Sequence, residues 1–356
     1  MKNKKNLTFV FATIPFILYI ILCYKPLPTE LQLSPQWTVD ISDPQETVST
    51  HLNVLPFKLG QNAGYFTHEG KIALITNFDY KATISNEYYA PYSQNSTGFT
   101  IYDTKGTQIG QISGSGFPYI SGENIFLLIP GGAGFEAKDI AGNTITRFQH
   151  TSPITALNSG KEMTIVGFAD GTLCTFDEEM NLQYNLTPSG SDIGVILGAA
   201  ASQNGTYFAC ISGQNKQRFV LYKNENNHAK VIHHEELKKS IKRQTFICFS
   251  KDETKVYYND ASGLEIMDCT TFKRRHINIP GTILDIQESP VADSFFVLSK
   301  KREFSKNIYT VTILEAKEHK TGEFSFEADS AFILTDENAL FIGKNTKISK
   351  MTISKE

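Results

Sequence analysis

Residues 154–186 read ITALNSGKEMTIVGFADGTLCTFDEEMNLQYNL, and they form the clearest repeat unit of the chain. It holds four runs of four to six residues, mostly apolar, β-branched or aromatic. The turns between them, residues 158–161, 169–171 and 177–179, contain Asn, Gly, Asp and Glu. Short runs punctuated in this way are hairpin signals, so the stretch predicts a four-stranded antiparallel unit.

Similar units recur along the chain at a regular period. Seven mostly apolar runs are separated by 53, 38, 44, 49, 39 and 45 residues, and they begin at Ile72, Ile125, Met163, Tyr207, Val256, Phe295 and Leu340. A period of about 40–50 residues with several strands per unit is typical of β-propeller blades. The repeats therefore predict an all-β fold, a seven-bladed β-propeller over residues 37–356. The first interval is the longest, and misparsing it would change the blade count to six or eight.

The last repeat is short, because the chain stops after three strand-like runs within residues 331–353. A three-stranded blade would leave an unpaired edge, which propellers avoid. Residues 37–41, WTVDI, form a strand-like segment without a partner of its own. We therefore predict that this N-terminal strand completes the seventh blade and closes the ring.

The punctuation of the repeats, such as residues 159–161 and 169–171, resembles that of the WD40 and YVTN-like propeller families over nearly all of the chain after residue 36. Third strands end in Asp at Asp103, Asp139, Asp177 and Asp268, where a carboxylate can close the following turn. The Trp-Asp and Gly-His dipeptides of WD40 repeats are absent, since Trp37 is the only Trp. Quinone-cofactor propellers carry a Trp in each docking motif, so we predict no cofactor.

The N-terminus predicts a membrane attachment. Residues 7–24 carry no charge, and as a helix they would span about 27 Å, close to the bilayer thickness. Lys2, Lys4 and Lys5 precede them, which places the N-terminus inside. We predict a cytoplasmic basic segment (1–6), a transmembrane signal anchor (7–24) and a linker (25–36). Cleavage of a signal peptide and lipidation of Cys23, as in a lipoprotein similar to the propeller subunit of outer-membrane protein assembly, are the alternatives.

The charge balance and the residue usage limit the class of partner. The chain has 34 Lys and Arg against 37 Asp and Glu, interspersed along its length. Nucleic-acid binders usually carry a basic face, so we predict no nucleic-acid partner. Usage rich in Lys, Asn, Ile and Phe is typical of an AT-rich bacterial genome. We therefore predict a propeller on the periplasmic side of the inner membrane, with other envelope proteins as partners.

Three charged or Tyr-rich stretches are candidates for a partner-binding face. The longest is residues 79–97, and the others are 238–243 and 300–306; all three are predicted on the face of the blade crossings. Long loops in a compact repeat fold are usually functional or disordered, and Tyr gives large amphipathic contact area. Deleting residues 82–94 is expected to weaken partner capture and leave folding intact. The candidate residues are Tyr80, Tyr88, Tyr89, Tyr92, Lys238, Lys239, Arg243, Lys301 and Arg302. The alternative is a solvated, tolerated insertion beside two charged turns.

No catalytic or metal motif is present in the sequence. H-E-x-x-H and G-x-S-x-G are absent, and adjacent His233 and His234 would point to opposite faces of a strand. The leading prediction is therefore a non-enzymatic scaffold without catalytic or metal-binding residues. The alternative is a metal-dependent hydrolase similar to propeller lactonases, using acidic residues near the turns after inner strands: Glu123, Glu253, Asp293 and Glu337.

Overall fold

A computed structural model describes residues 19, 31–43, 53–188, 190–225, 228–315 and 319–355. These residues form eight antiparallel sheets, each of which is one blade of a β-propeller. Blade 1 consists of β2 (Val54–Leu59), β3 (Asn62–Thr67) and β4 (Ile72–Asn77), and blade 2 consists of β5 (Lys81–Ile84), β6 (Tyr88–Tyr92), β7 (Gly98–Asp103) and β8 (Gln108–Ser113). Blade 3 consists of β9 (Phe117–Ser121), β10 (Asn124–Leu128), β11 (Gly134–Lys138) and β12 (Thr144–Gln149). Blade 4 consists of β13 (Ile154–Ser159), β14 (Thr164–Phe168), β15 (Leu173–Phe176) and β16 (Leu182–Leu186).

The remaining blades follow in chain order, and the last one recruits the N-terminal strand. Blade 5 consists of β17 (Ile196–Ala201), β18 (Tyr207–Ser212), β19 (Arg218–Glu225) and β20 (His228–Glu236), and blade 6 consists of β21 (Ile247–Phe249), β22 (Lys255–Asp260), β23 (Gly263–Asp268) and β24 (Arg274–Asn278). Blade 7 consists of β25 (Thr282–Ser289), the 3-10 helix Val291–Asp293, β26 (Ser294–Glu303), β27 (Lys306–Glu315) and β28 (His319–Glu327). Blade 8 consists of β29 (Ala331–Asp336), β30 (Ala339–Lys344), β31 (Lys347–Lys355) and β1 (Leu31–Asp40).

Six of the seven apolar runs that marked the repeats are strands buried on both faces. In β18, Phe208 and Cys210 pack with residues of blade 4, whereas Ala209 and Ile211 pack with residues of blade 6. Alternate side chains of a strand point to opposite faces, so a strand that packs against a blade on each side is apolar at most positions. The predicted Asp turns are also confirmed, since Asp103 and Asp268 each accept a hydrogen bond from the backbone N–H two residues on.

The ring is closed by the N-terminal strand, as predicted. β1 pairs antiparallel with β31, from Leu31 opposite Lys355 to Asp40 opposite Lys347. The indole of Trp37 donates a 3.1 Å hydrogen bond to the carbonyl of His68, and its ring lies 6.0 Å from that of Phe341. The strand begins at Leu31, so residues 31–36, predicted to be a linker, belong to the propeller.

The predicted count of seven blades was wrong, because the described sheets number eight. Six of the seven runs mark second strands, but Ile72 begins β4, a third strand. The 53-residue interval that starts there contains all of blade 2. Its second strand, β6, reads YYAPY. Because this strand contains a Pro and is flanked by polar residues, its sequence resembles that of a loop more than that of a buried strand.

Blade 1 has three strands and runs opposite to its neighbours. Lys58, near the end of β2, donates a hydrogen bond to the carbonyl of Ala82, near the start of β5. His68, just after β3, lies 2.5 Å from Asp336 at the end of β29. The inner strand β2 is therefore antiparallel to both neighbouring inner strands. Because blade 1 has three strands rather than four, its last strand, β4, ends on the face from which β5 starts.

The predicted N-terminal transmembrane helix is also corrected. Across the described ranges, no helix has both the length and the apolar character needed to cross a bilayer. Residues 7–24 lie outside the described residues, Tyr19 excepted, and so does the candidate lipidation residue Cys23. The described fold is an all-β propeller.

Candidate interaction face

Two faces of the disc carry different loops. In blades 2 to 8, one face carries the turns between second and third strands together with the connections from blade to blade, and we call it the crossing face. The opposite face carries the turns between first and second strands, and we call it the hairpin face. The predicted site residues divide between these two faces.

The connection from β20 to β21 presents basic side chains on the crossing face. Lys238, Lys239 and Arg243 are exposed there, as predicted. The connection is held in place because Gln217, which is buried, donates from Nε2 to the carbonyl of Ile241 (2.6 Å) and accepts from its N–H (2.5 Å). A fixed backbone with exposed cations is suited to binding an acidic surface.

The hairpin formed by β26 and β27 carries a second basic group. Lys301 and Arg302 are exposed, and Lys301 lies 2.9 Å from Glu303. At the turn, Phe304 is fully exposed and adopts a left-handed backbone conformation, with φ of 54°. Sequence reasoning did not select Phe304 as a site residue, although an aromatic inside a basic turn was a signal that could have found it.

The Tyr-rich segment is not the loop that was predicted. Tyr88, Tyr89 and Tyr92 lie in β6, which crosses the disc from one face to the other. Tyr92 is at the crossing face with Tyr80, their rings 6.0 Å apart, whereas Tyr88 and Tyr89 start the strand near the hairpin face. Tyr89 is buried and stacks on Tyr102 at 5.1 Å. The four Tyr residues therefore do not form one surface.

The acidic residues of the enzyme alternative lie on four separate turns of the hairpin face. Asp293 and Glu337 border a cavity of about 620 Å³ between blades 6, 7 and 8, and Glu123 and Glu253 lie outside it. Within the described ranges, the group of side chains close enough to hold a metal ion is a different one: Asp260, Glu265 and His276. The four predicted acidic residues do not converge on a common ion.

Asp285 is a titratable group of the inner strand β25 that sequence reasoning did not select. Its carboxylate accepts hydrogen bonds from the N–H of Ile286 (2.8 Å) and from Gln287 Nε2 (2.9 Å). Burial nevertheless raises its pKa from 3.8 to about 6. The desolvation of the charged carboxylate therefore outweighs the two hydrogen bonds.

Asp285→Asn is expected to stabilise the protein at about pH 7.5 by about 1–3 kcal/mol. The unfolded chain releases this proton at lower pH than the folded chain, so the stability of the parent falls as pH rises from 3.8 to about 6. The gain should disappear near pH 4, as measured by urea unfolding at both pH values. Asp139→Asn is the control of opposite sign, since the Asn143 side chain lowers the pKa of Asp139. A gain at Asp285 that is independent of pH would contradict this account.

Comparisons with known proteins agree with the architecture. A family model described as beta-propeller protein matches residues 1–356. An uncharacterized protein of Treponema pallidum (strain Nichols) is 24% identical over 364 residues, which cover 99% of this chain and 96% of that protein. BamB from Moraxella catarrhalis superimposes with a TM-score of 0.58 at 11% identity, over 90% of this chain and 100% of its own. A chain in the crystal structure of the mitotic checkpoint complex gives 0.55 at 9% identity, over 93% and 95%. At these identities the two structures establish a shared fold alone.

Proposed function

Because the chain belongs to the beta-propeller family whose model spans its full length, we propose that it is a scaffold that binds other proteins of an envelope assembly through its crossing face. A propeller provides a rigid disc whose loops can be varied without changing the core. The similarity in fold to BamB, and to a chain found in a multi-protein complex, is compatible with this role.

The observation that carries the proposal is the turn between β26 and β27. Leaving a Phe side chain in water rather than burying it forgoes about 1.5–3 kcal/mol, so a fully exposed Phe304 has much to gain from a partner. Aromatic and Arg side chains are enriched among the residues that dominate binding energies. Phe304 next to Arg302 fits a partner with an apolar recess bordered by carboxylates.

The basic connection between blades 5 and 6 extends this surface. Lys238, Lys239 and Arg243 lie on the same face, and one blade separates them from the β26–β27 hairpin. Exposed charges of one sign accelerate association with an oppositely charged surface more than they tighten the complex. In this proposal Phe304 provides most of the affinity and the basic connection guides the approach.

The compartment and the repeat family are further parts of the proposal. The support for a periplasmic location is in the sequence, where Lys2, Lys4 and Lys5 precede an apolar run, and these residues lie outside the described ranges. The support for a WD40/YVTN-like repeat is the Asp that closes the turn after several third strands. The hydrolase alternative is not proposed, because its four acidic residues do not converge.

Phe304→Ser in the full-length tagged protein is expected to reduce the recovery of crosslinked partner proteins about tenfold or more. The comparison is quantitative mass spectrometry of proteins captured from crosslinked cells by the parent and the variant. Leu182→Ser is the matched control, since Leu182 is also an exposed apolar residue but lies on the outer strand of blade 4. Equal recovery by all three proteins would overturn the assignment of this face.

A further inference from the structure

Three metal-ligating side chains meet on one side of blade 6. Asp260, Glu265 and His276 belong to the adjacent strands β22, β23 and β24, and Glu265 pairs directly opposite His276. Ligand atoms of the three side chains all lie within 4.8 Å of one another. Asp260 is 4% exposed and Glu265 is 3% exposed, so both carboxylates are buried between blades 5 and 6.

Glu265 has an oxygen that the protein itself does not satisfy. Its Oε1 lies 2.9 Å from His276 Nδ1, but its buried Oε2 has no hydrogen-bond partner. A buried acceptor without a donor costs about 1–3 kcal/mol, and more when it is charged. Burial accordingly raises the pKa of Glu265. An orphaned carboxylate oxygen facing a second buried carboxylate is a geometry that a cation would satisfy.

The charges around the three side chains favour a divalent cation. Arg274 is the neighbouring cation, and it pairs with Glu235 of β20, which also accepts a hydrogen bond from Tyr258. Asp260 Oδ1 accepts two hydrogen bonds from Ser262, both at 2.6 Å. With neutral His276, the three carboxylates and one guanidinium carry a net charge of −2. One divalent ion would neutralise this charge.

We propose that Asp260, Glu265 and His276 bind one divalent transition-metal ion, with Zn²⁺ as the best fit. Two carboxylates and one imidazole form a mixed oxygen and nitrogen ligand set, whereas Ca²⁺ and Mg²⁺ take oxygen ligands almost exclusively. The His276 side chain is 34% exposed, which gives an ion a route from solvent. A bound ion would link β22, β23 and β24, the three outer strands of blade 6. The site lies beside the basic connection between β20 and β21, which is attached to β22 by a hydrogen bond from the N–H of Asn259 to the carbonyl of Phe246.

The test is titration of the metal-stripped full chain with Zn²⁺, Mn²⁺ and Ca²⁺ by isothermal calorimetry. The expected result is about one Zn²⁺ per chain with a Kd at or below about 1 µM, and a higher Tm in its presence. Glu265→Gln should weaken Zn²⁺ binding by about 100-fold or more. Glu253→Gln is the matched control in the same blade, because its Oε2 is also buried without a partner but belongs to the hairpin face.

His276→Ala keeps the test decisive if Glu265→Gln fails to fold, since His276 is partly exposed and should be replaceable without loss of the blade. It should weaken Zn²⁺ binding and abolish the rise in Tm. Zn²⁺ binding that is equally tight in the parent and in the folded site variants would overturn the proposal. So would the absence of stoichiometric Zn²⁺ binding by the parent, or tighter binding of Ca²⁺ than of Zn²⁺.

Discussion

A chain that begins at Ser42, and therefore lacks β1, is expected to lose cooperative folding. Removal of β1 exposes the full edge of β31. It also takes Leu31 and Leu33 out of the cluster that joins blade 7 to blade 8, and Trp37 and Val39 out of the cluster that joins blade 8 to blade 1. Burial of such side chains is worth about 1.5–3 kcal/mol each when complete. Their sum, together with the lost strand pairing, is comparable to the whole stability of a typical domain, about 5–15 kcal/mol.

The matched control for this truncation is a chain that begins at Leu31 and retains β1. Near-UV circular dichroism and urea unfolding should show a cooperative transition for the control and none for the shorter chain. The milder change Trp37→Ala should cost about 2–4 kcal/mol, because the half-buried indole packs on Phe66 and Phe341. Equal urea midpoints for the chains beginning at Leu31 and at Ser42 would show that β1 is not needed to close the ring.

Much of the architecture could be predicted because blade strands are buried on both sides. The second strands of blades 3 to 8 appear in the sequence as apolar runs between polar turns, and each was recognised. Ring closure was predictable for a related reason, since residues 37–41 look like a strand and have no local partner. These features depend on the local sequence pattern, which can be recognised without knowing how the strands pair.

Blade 2 could not be predicted because its second strand, β6, contains no aliphatic run. Tyr89 stacks on Tyr102 and packs near Tyr65, so the centre of β6 is buried although the strand contains three Tyr and a Pro. Pairing of β6 with β7 extends over only two residue pairs, at Tyr88 and Tyr89. A strand with so few pairs and so little aliphatic content resembles a polar loop when read by residue type.

The candidate sites divide along a similar line. The exposure of Lys238, Lys239 and Arg243 followed from a charged connection between two blades, which the sequence shows directly. The cluster of Asp260, Glu265 and His276 depends on the register of three strands, and spacings of 5 and 11 residues match no metal motif. The full exposure of Phe304 depends on the length of the β26–β27 hairpin, which the sequence pattern left undetermined.

Deletion of residues 82–94 is expected to unfold the protein, in contrast to the result expected when this segment was interpreted as a loop. The deletion removes nearly all of β5, the inner strand of blade 2, and all of β6. It therefore removes the buried Ala82, Tyr89 and Ala90 and opens both flanks of the blade, toward β2 and toward β9. Loss of the inner strand of blade 2 is therefore expected to open the ring, as loss of β1 is.

The control for this deletion is an insertion of Gly-Ser between Gln94 and Asn95. These residues are exposed in the turn between β6 and β7, and turns of this kind tolerate insertions. Trp37 is the only Trp and lies in the seam between blades 8 and 1, so its fluorescence reports the closed ring in both variants. The insertion variant should retain the parent's emission and a cooperative urea transition, and the deletion variant should retain neither. A deletion variant with the parent's emission and urea midpoint would mean that blade 2 is dispensable and that seven blades can close the ring.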